Sequence, residues 1–278
     1  MTAYELAYSP CPNDTYVFAA LANGLLEGAP EVRVHLADIE ELNSAAARAQ
    51  YPLMKVSYGA IPFLMDRYRI LHAGGAVGQG CGPLLVARPS GSPEHFSEFA
   101  GKRIAIPGER TTAFMLLQIA LGKRPKVVQM RFDRIVEAVA AGEVDAGLII
   151  HESRFTYRSA GLISIADLGE WWENMTSLPI PLGAIVARDD IAGTDARAIE
   201  DAIRRSLAFA RANEEAVMPY VRRHAAEMSD EVMRAHVALY VNEFTVELGH
   251  RGRDAVHALF ERAYGAGVLH REVEPRFA

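Results

Sequence analysis

The segment YELAYSPCPNDTYVFAALANG, which runs from Tyr4 to Gly24, gives the first fold signal of the chain. Its first six residues alternate in polarity and predict a short β-strand. Asn13, Asp14 and Thr15 are residue types favoured at helix N-caps, and the apolar run after them predicts a helix that ends at the final glycine. The segment therefore predicts a strand, a tight turn and a helix, with the turn at the edge of a ligand site.

The alternation of strands and helices continues on both sides of a glycine-rich stretch at residues 72–82. Before the glycines, residues 31–39 and 53–61 predict strands and residues 40–50 predict a helix between them. After the glycines, residues 102–108, 126–130 and 144–150 predict strands, and residues 111–121 and 132–142 predict the helices that join them. This rhythm predicts an α/β protein in which mixed sheets are flanked by helices.

Two similar segments enclose the middle unit. GPLLVARPSG, at residues 82–91, and PLGAIVARDD, at residues 181–190, share a Pro-Leu pair, apolar residues and Val-Ala-Arg. Paired strands of this kind favour a two-lobed clamshell with two hinge crossings, although two ordinary core strands could resemble each other by coincidence. The clamshell reading predicts a larger, discontinuous lobe of residues 1–88 and 186–278, a smaller inserted lobe of residues 89–185, and a substrate cleft between them.

The composition limits the class of partner. The chain has 278 residues, of which 29 are Lys or Arg and 35 are Asp or Glu, giving a net charge of −6. This balance gives no reason to expect nucleic acid or an anionic membrane as a partner, although a local basic pocket for a small anion remains possible. The partner that we expect from the candidate sites below is a small-molecule carboxylate. No apolar run approaches the roughly 18 residues that a membrane helix needs, so we expect no membrane insertion. The composition does not fix the oligomeric state, and we expect a monomer or a homodimer.

The motifs of cofactor and metal proteins are missing from the sequence. Cys11 and Cys81 are far apart and belong to no CxxC pair, and the N-terminus does not resemble a secretory signal, so we expect a reduced, cytoplasmic protein. The glycines at 72–82 do not match a dinucleotide-binding pattern, and the histidines after residue 200, among them His236, have no metal-ligand spacing. We therefore predict no metal and no cofactor, and we read those histidines as surface or core residues.

Three candidate sites follow predicted strands, where α/β sheets bind ligands. The first is the opening turn, with Ser9, Asn13 and Asp14, whose residues could equally be turn and cap residues alone. The second is Thr111 and Thr112, at a predicted helix N-terminus. Backbone N–H groups and two hydroxyls there would suit a carboxylate, although a plain N-cap would explain one threonine.

The third candidate site is His151, which follows the strand at residues 144–150. An imidazole titrates near neutrality and is a natural general base, although a lone histidine after a strand is more often structural. On the opposite lobe, Lys55, Val56 and Ser57 form a further candidate substrate-binding segment. Lys55 could also be a surface lysine.

Several short motifs together carry a family resemblance. SPCPNDT, KVSYGAIP, GCGPLLVA, LIIHESRFTY, DLGEWW, LPIPLG and ELGHRGRDAVHALFERA extend in this order from Ser9 to nearly the C-terminus. Each is weak alone, but their number and order resemble the 1,4-dihydroxy-6-naphthoate synthase family of the futalosine route to menaquinone. SPCPNDT and HESRFTY favour this family over the sister enzyme chorismate dehydratase.

The resemblance implies a type II periplasmic-binding-protein fold used by a cytoplasmic lyase. The implied reaction converts cyclic dehypoxanthine futalosine to 1,4-dihydroxy-6-naphthoate and dihydroxyacetone without a cofactor. Carried over by motif, His151 is similar to the family's proton acceptor, and Lys55, Ser57, Thr111 and Thr112 fall in its substrate-contact segments. The alternatives are a cytoplasmic clamshell protein that binds or senses a small aromatic carboxylate, and chorismate dehydratase.

Overall fold

The computed structural model of the protein describes residues 3–89, 95–225 and 229–278, and its strands form two separate mixed sheets. The strands are β1 (Tyr4–Tyr8), β2 (Val32–Leu36), β3 (Leu53–Ser57), β4 (Tyr68–Ile70), β5 (Ala76–Gly78), β6 (Leu84–Ala87), β7 (Arg103–Ile106), β8 (Lys126–Gln129), β9 (Ala146–Ile149), β10 (Ile163–Asp167) and β11 (Ile180–Arg188).

Helices cover the faces of both sheets, as the alternating pattern predicts. They are α1 (Pro12–Ala22), α2 (Ile39–Ala47), α3 (Thr112–Leu121), α4 (Ile135–Ala141), α5 (Ser153–Thr156), α6 (Leu168–Thr176), α7 (Gly193–Ala212), α8 (Glu214–His224), α9 (Asp230–Tyr240), α10 (Glu243–Val246) and α11 (Gly249–Gly265). Within the described ranges, no helix combines the length and the apolar character needed to cross a membrane.

The first sheet has the strand order β2-β1-β3-β11-β4, and β5 also pairs with β11. Strand β1 lies parallel to β2 and β3, whereas β11 runs antiparallel to β3, β4 and β5. Parallel strands β1 and β3 therefore end at the same edge of the sheet. That edge carries the turn after β1 and the end of β3, which are two of the predicted site segments.

The second sheet has the order β10-β6-β9-β7-β8. Strand β7 pairs in parallel with β8 and β9, β6 pairs antiparallel with β9, and β10 pairs antiparallel with β6. The edge at which β7 and β9 end carries the other two site segments, the loop before α3 and the residues that follow Ile149. Each sheet thus delivers two of the four candidate segments to its edge.

The predicted lobe boundaries stay a prediction, and the two sheets divide the chain at different points. Strand β6 was expected in the larger lobe, but it hydrogen-bonds to β9 and β10 of the second sheet. Strand β11, whose first residues were expected in the smaller lobe, pairs only with strands of the first sheet among the described residues. The two segments that look alike in sequence therefore belong to different sheets. Residues 90 and 91, the end of the first of them, lie outside the described residues.

The first helix begins earlier than its sequence suggests. Pro12 is the first helical residue and Cys11 occupies the N-cap position without a side-chain cap hydrogen bond. The prediction that Asn13, Asp14 and Thr15 cap the helix is therefore wrong. Proline fits the first helical position because it needs no hydrogen-bond acceptor there. Because the side chains of Asn13 and Asp14 do not cap the helix, they are available for contacts with other parts of the protein.

Strong apolar packing holds the elements that carry the site. Helix α1 is buried along almost its whole length between the first sheet and helices α7 and α8. A second apolar cluster joins residues of both sheets, among them Met54, Leu85, Ile106 and Ala184, all at most 2% exposed. At roughly 25 cal/mol per Å² of buried apolar surface, burial on this scale fixes the strand ends firmly.

Candidate active site

A pocket lies where the edges of the two sheets meet, and the predicted site segments line it. Eight of the nine predicted site residues take part: Ser9, Asn13, Asp14, Lys55, Ser57, Thr111, Thr112 and His151. The exception, Val56, is fully buried in the core, because neighbouring residues of a strand point to opposite faces of the sheet. Its role in substrate binding stays a prediction.

A buried ion pair lies in one wall of the pocket. Lys55 Nζ is 2.7 Å from Asp14 Oδ1, and both side chains are less than 5% exposed. Asp14 also accepts hydrogen bonds from Ser9 Oγ at 2.7 Å and from Asn13 Nδ2 at 2.8 Å. A buried carboxylate needs this many donors, because it has lost its contacts with water. Three predicted residues of the opening turn therefore form one network around Lys55.

Among the residues that the structure describes, Lys55 and Ser57 each keep one donor for a ligand. Besides Asp14, Lys55 donates to the carbonyl of Gly74 at 3.1 Å, and an ammonium has three N–H donors. Asn43 Nδ2 donates to Ser57 Oγ at 3.0 Å, and Asn43 Oδ1 accepts from Ser57 N–H at 2.8 Å. Since the Ser57 oxygen already accepts a hydrogen bond, its own hydroxyl proton remains to be donated.

The threonine hydroxyls at the start of helix α3 are not the ligand donors that the sequence suggested. Thr111 Oγ1 donates to Gly108 O at 2.7 Å and accepts from Phe114 N–H as the helix cap. Thr112 Oγ1 donates to Leu182 O at 2.7 Å and accepts from Gly59 N–H. The donors left to the pocket are therefore backbone N–H groups of the first helical turn, which have no partner within the helix.

His151 is held against Cys11 in an unusual backbone conformation. Its Nδ1 is 3.1 Å from Cys11 Sγ, and its φ of 55° lies in the left-handed region, which few non-glycine residues adopt. Burial is the main cause that lowers the pKa of His151 to about 4, and nearby Lys55 lowers it further, while Asp14 opposes the shift. The imidazole is therefore neutral at neutral pH and can accept a proton.

Comparisons with known proteins show the family of the chain. The family model described as menaquinone biosynthesis matches residues 4–265. The chain belongs to the menaquinone biosynthesis family. Two curated relatives carry the name "1,4-dihydroxy-6-naphtoate synthase". The one from Thermus thermophilus is 48% identical over the full length of both chains, and the one from Streptomyces coelicolor is 44% identical over 95% of this chain and 94% of its own.

Solved structures confirm the predicted fold class. An X-ray structure of an Archaeoglobus fulgidus protein has a TM-score of 0.89 and 36% identity, and the match covers 96% of this chain and 98% of that one. The alkanesulfonate-binding protein of Xanthomonas axonopodis has a TM-score of 0.73 at 15% identity, with 98% and 96% covered. This member of the menaquinone biosynthesis family therefore has a periplasmic-binding-protein-like fold.

Sequence reasoning missed three residues of the family member's pocket. Asn43 and Tyr240 were not singled out, and His236 was read only as a surface or core histidine, yet Tyr240 and His236 line the cavity and Asn43 holds Ser57. Asn43 lies mid-helix and is completely buried, and a polar residue on the apolar side of a predicted helix was the available signal. His236 offered no comparable signal, because its partners come from distant segments.

One cluster next to the pocket has the donor atoms of a metal site. Ligand atoms of Cys11, His151 and Glu152 lie within 4.8 Å of one another. Thiolate, imidazole and carboxylate are the ligands that zinc uses in proteins. Burial and the negative charge of Glu152 raise the pKa of the Cys11 thiol well above its usual value, which disfavours the thiolate that a metal needs. The absence of a metal in this family member stays a prediction.

Proposed function

We propose that this protein is a carbon–carbon lyase that converts cyclic dehypoxanthine futalosine to 1,4-dihydroxy-6-naphthoate and dihydroxyacetone. The observation that carries the proposal is the neutral imidazole of His151 in the wall of a pocket that also offers donors suited to a carboxylate. The names of the two curated relatives support the choice of reaction. The two cysteines, both free and buried, suit the proposed setting in the cytoplasm.

The proposed carboxylate site combines helix α3 with Ser57 and Lys55. The partial positive charge at the start of this ten-residue helix attracts an anion, and the N–H groups of Thr112 and Ala113 have no partner within the helix. A helix terminus alone contributes only about 0.3–2 kcal/mol, so the remaining donors of Ser57 and Lys55 are needed for firm binding. In this proposal Thr111 and Thr112 bind through their backbone and hold the helix start in place through their hydroxyls.

The proposed base is Nε2 of His151. Nδ1 lies against Cys11, so Nε2 is the ring nitrogen that remains for the pocket. For Nε2 to accept a proton, Nδ1 must carry the hydrogen of the neutral ring and donate it to Cys11 Sγ. Proton removal by His151 then triggers elimination and cleavage of the carbon–carbon bond. General-base assistance of this kind contributes a factor of roughly 10²–10⁴ in rate.

Enclosure of the substrate completes the proposed mechanism. The cavity walls come from both sheets, and Gly59 of the first sheet's edge donates to Thr112 of the second at 3.0 Å. A ligand held between the two sheet edges is oriented and shielded from water, which lowers the barrier to proton transfer.

The test is incubation of the purified protein with cyclic dehypoxanthine futalosine or, separately, with chorismate, followed by mass spectrometry of the products. We expect 1,4-dihydroxy-6-naphthoate from the first substrate and no reaction with the second. Turnover of chorismate alone would make the protein a chorismate dehydratase. Binding of an aromatic carboxylate without turnover of either compound would make it a binding or sensing protein. Both of these results would overturn the proposed reaction.

A further inference from the structure

A series of hydrogen bonds in the pocket wall links Lys55 to His236 through Asp14 and Asn13. Asp14 is paired with the Lys55 ammonium at 2.7 Å, and a carboxylate can only accept hydrogen bonds. The neighbouring Asn13 approaches the same carboxylate at 2.8 Å and must therefore donate to it through its amide nitrogen. This contact fixes the orientation of the Asn13 amide, whose oxygen is then directed to its other partner.

That other partner is His236. Its Nε2 lies 3.0 Å from Asn13 Oδ1, and an amide oxygen can only accept a hydrogen bond. Nε2 of His236 must therefore carry a hydrogen. Because burial and the nearby His151 hold the pKa of His236 well below its usual value, the ring is neutral and has only this one hydrogen. Nδ1 is consequently an unprotonated nitrogen that can only accept.

This acceptor has no partner in the part of the protein that the structure describes. Among the described residues, Nδ1 of His236 is one of the few buried side-chain atoms that makes no hydrogen bond. The whole residue is 0% exposed, and it lines the cavity beside His151, with the two rings nearly parallel and 6.1 Å apart. A buried acceptor without a donor costs about 1–3 kcal/mol, so a bound ligand that supplies a donor would gain from filling this position.

We propose that His236 is a product-binding residue, whose Nδ1 accepts a hydrogen bond from a ring hydroxyl of 1,4-dihydroxy-6-naphthoate, the product of the proposed reaction. This inference rests on the proposed function and adds a second polar contact to it. In 1,4-dihydroxy-6-naphthoate the carboxylate and the two hydroxyls are on opposite rings. A carboxylate bound at the start of helix α3 therefore leaves the hydroxyl-bearing ring for the wall that contains His151 and His236. An anionic group is excluded from the His236 position, because it offers no hydrogen to the nitrogen.

Two substitutions separate the two nitrogens of the ring. His236→Gln places an amide nitrogen near the former Nε2, so the hydrogen bond to Asn13 can be kept while the Nδ1 acceptor is lost. His236→Asn is the matched control, because its amide oxygen lies near the former Nδ1 and the donor to Asn13 is lost. The ligands are 1,4-dihydroxy-6-naphthoate, handled without oxygen, and 2-naphthoate, which has the same rings and carboxylate without hydroxyls. Dissociation constants are measured by calorimetry for the wild type and both variants.

We expect His236→Gln to weaken binding of the dihydroxy compound about fivefold to tenfold, the effect of losing one net hydrogen bond, and to leave 2-naphthoate nearly unchanged. We expect His236→Asn to keep most of the preference for the dihydroxy compound. Equal losses for both ligands, or an equal loss of preference in both variants, would overturn the inference. Turnover of cyclic dehypoxanthine futalosine by the wild type distinguishes the failures. If the wild type turns over this compound and His236→Gln keeps the preference for the dihydroxy compound over 2-naphthoate, only the inference about His236 is refuted. If the wild type shows no turnover, the proposed function is refuted as well.

Discussion

Replacement of His151 by asparagine tests the proposed base without disturbing the backbone. Asparagine tolerates the left-handed φ of 55° better than most residues, and its amide can still meet Cys11 Sγ. The amide cannot accept a proton at neutral pH. We therefore expect His151→Asn to remain folded and to lose a factor of roughly 10²–10⁴ in kcat on cyclic dehypoxanthine futalosine.

The same variant should change how stability depends on pH. The pKa of His151 falls from 6.5 in the unfolded chain to about 4 in the folded protein. Between these values the unfolded state binds more protons, so stability decreases as the pH falls from 6.5 towards 4. From pH 7 to pH 5 this one group removes about 2 kcal/mol from the free energy of unfolding. His236 is present in both proteins, and because burial is the main cause that lowers its pKa, most of its contribution cancels in the comparison.

Urea unfolding of both proteins at pH 7 and pH 5, together with steady-state kinetics, measures both effects. We expect the wild type to lose about 2 kcal/mol more than His151→Asn over this interval. In the wild type the fall in kcat/KM caused by His151 should appear only near pH 4. An acidic limb at pH 6–7 that disappears in the variant would show that the imidazole is not desolvated, and a variant that keeps more than a tenth of the wild-type kcat would refute its role as the base.

Three further predictions concern the supports of the pocket. Gly82→Ala should lower the free energy of unfolding by about 1–3 kcal/mol, because its Cβ would lie 2.3 Å from the backbone of helix α6, whereas Gly101→Ala, with no atom within 4 Å, should be close to neutral. Equal effects of the two would contradict this packing argument. Asn43→Ala should raise KM several-fold and cost about 1–3 kcal/mol, since it leaves the Ser57 N–H without its partner. An unchanged KM would limit Asn43 to a structural role. Lys55→Met should cost about 3–5 kcal/mol in urea unfolding, because a buried carboxylate loses its cation. A loss below 1 kcal/mol would show that the pair is not desolvated.

The sequence was informative where a pattern is local. Strand ends followed by polar residues predicted the segments around Ser9, Ser57, Thr111 and His151, and all of them line one cavity. Periodicity marks where a strand ends, and the edge of an α/β sheet is where such ends meet. The fold class followed from the same local pattern, and the neighbouring structures confirm it.

Prediction from sequence failed where residues distant in the chain determine the outcome. The segments of β6 and β11 look alike in sequence but belong to different sheets, because an apolar strand carries no mark of the sheet that it joins. The contact of Cys11 with His151 spans 140 residues, and that of Asn13 with His236 spans 223. Pairings over such separations are set by tertiary packing, and no spacing in the sequence encodes them.

The absence of a cap at the start of helix α1 connects the fold to the chemistry. A side-chain cap contributes about 0.5–2 kcal/mol, and Asn13 and Asp14 are the residue types that provide one. Here both lie in the first turn of the helix and face Lys55 and His236 instead. The helix is stable without the cap because α7 and α8 bury its length. Tertiary packing thus replaces local capping, and the polar residues released by it set the charge of one wall of the pocket and the tautomer of His236.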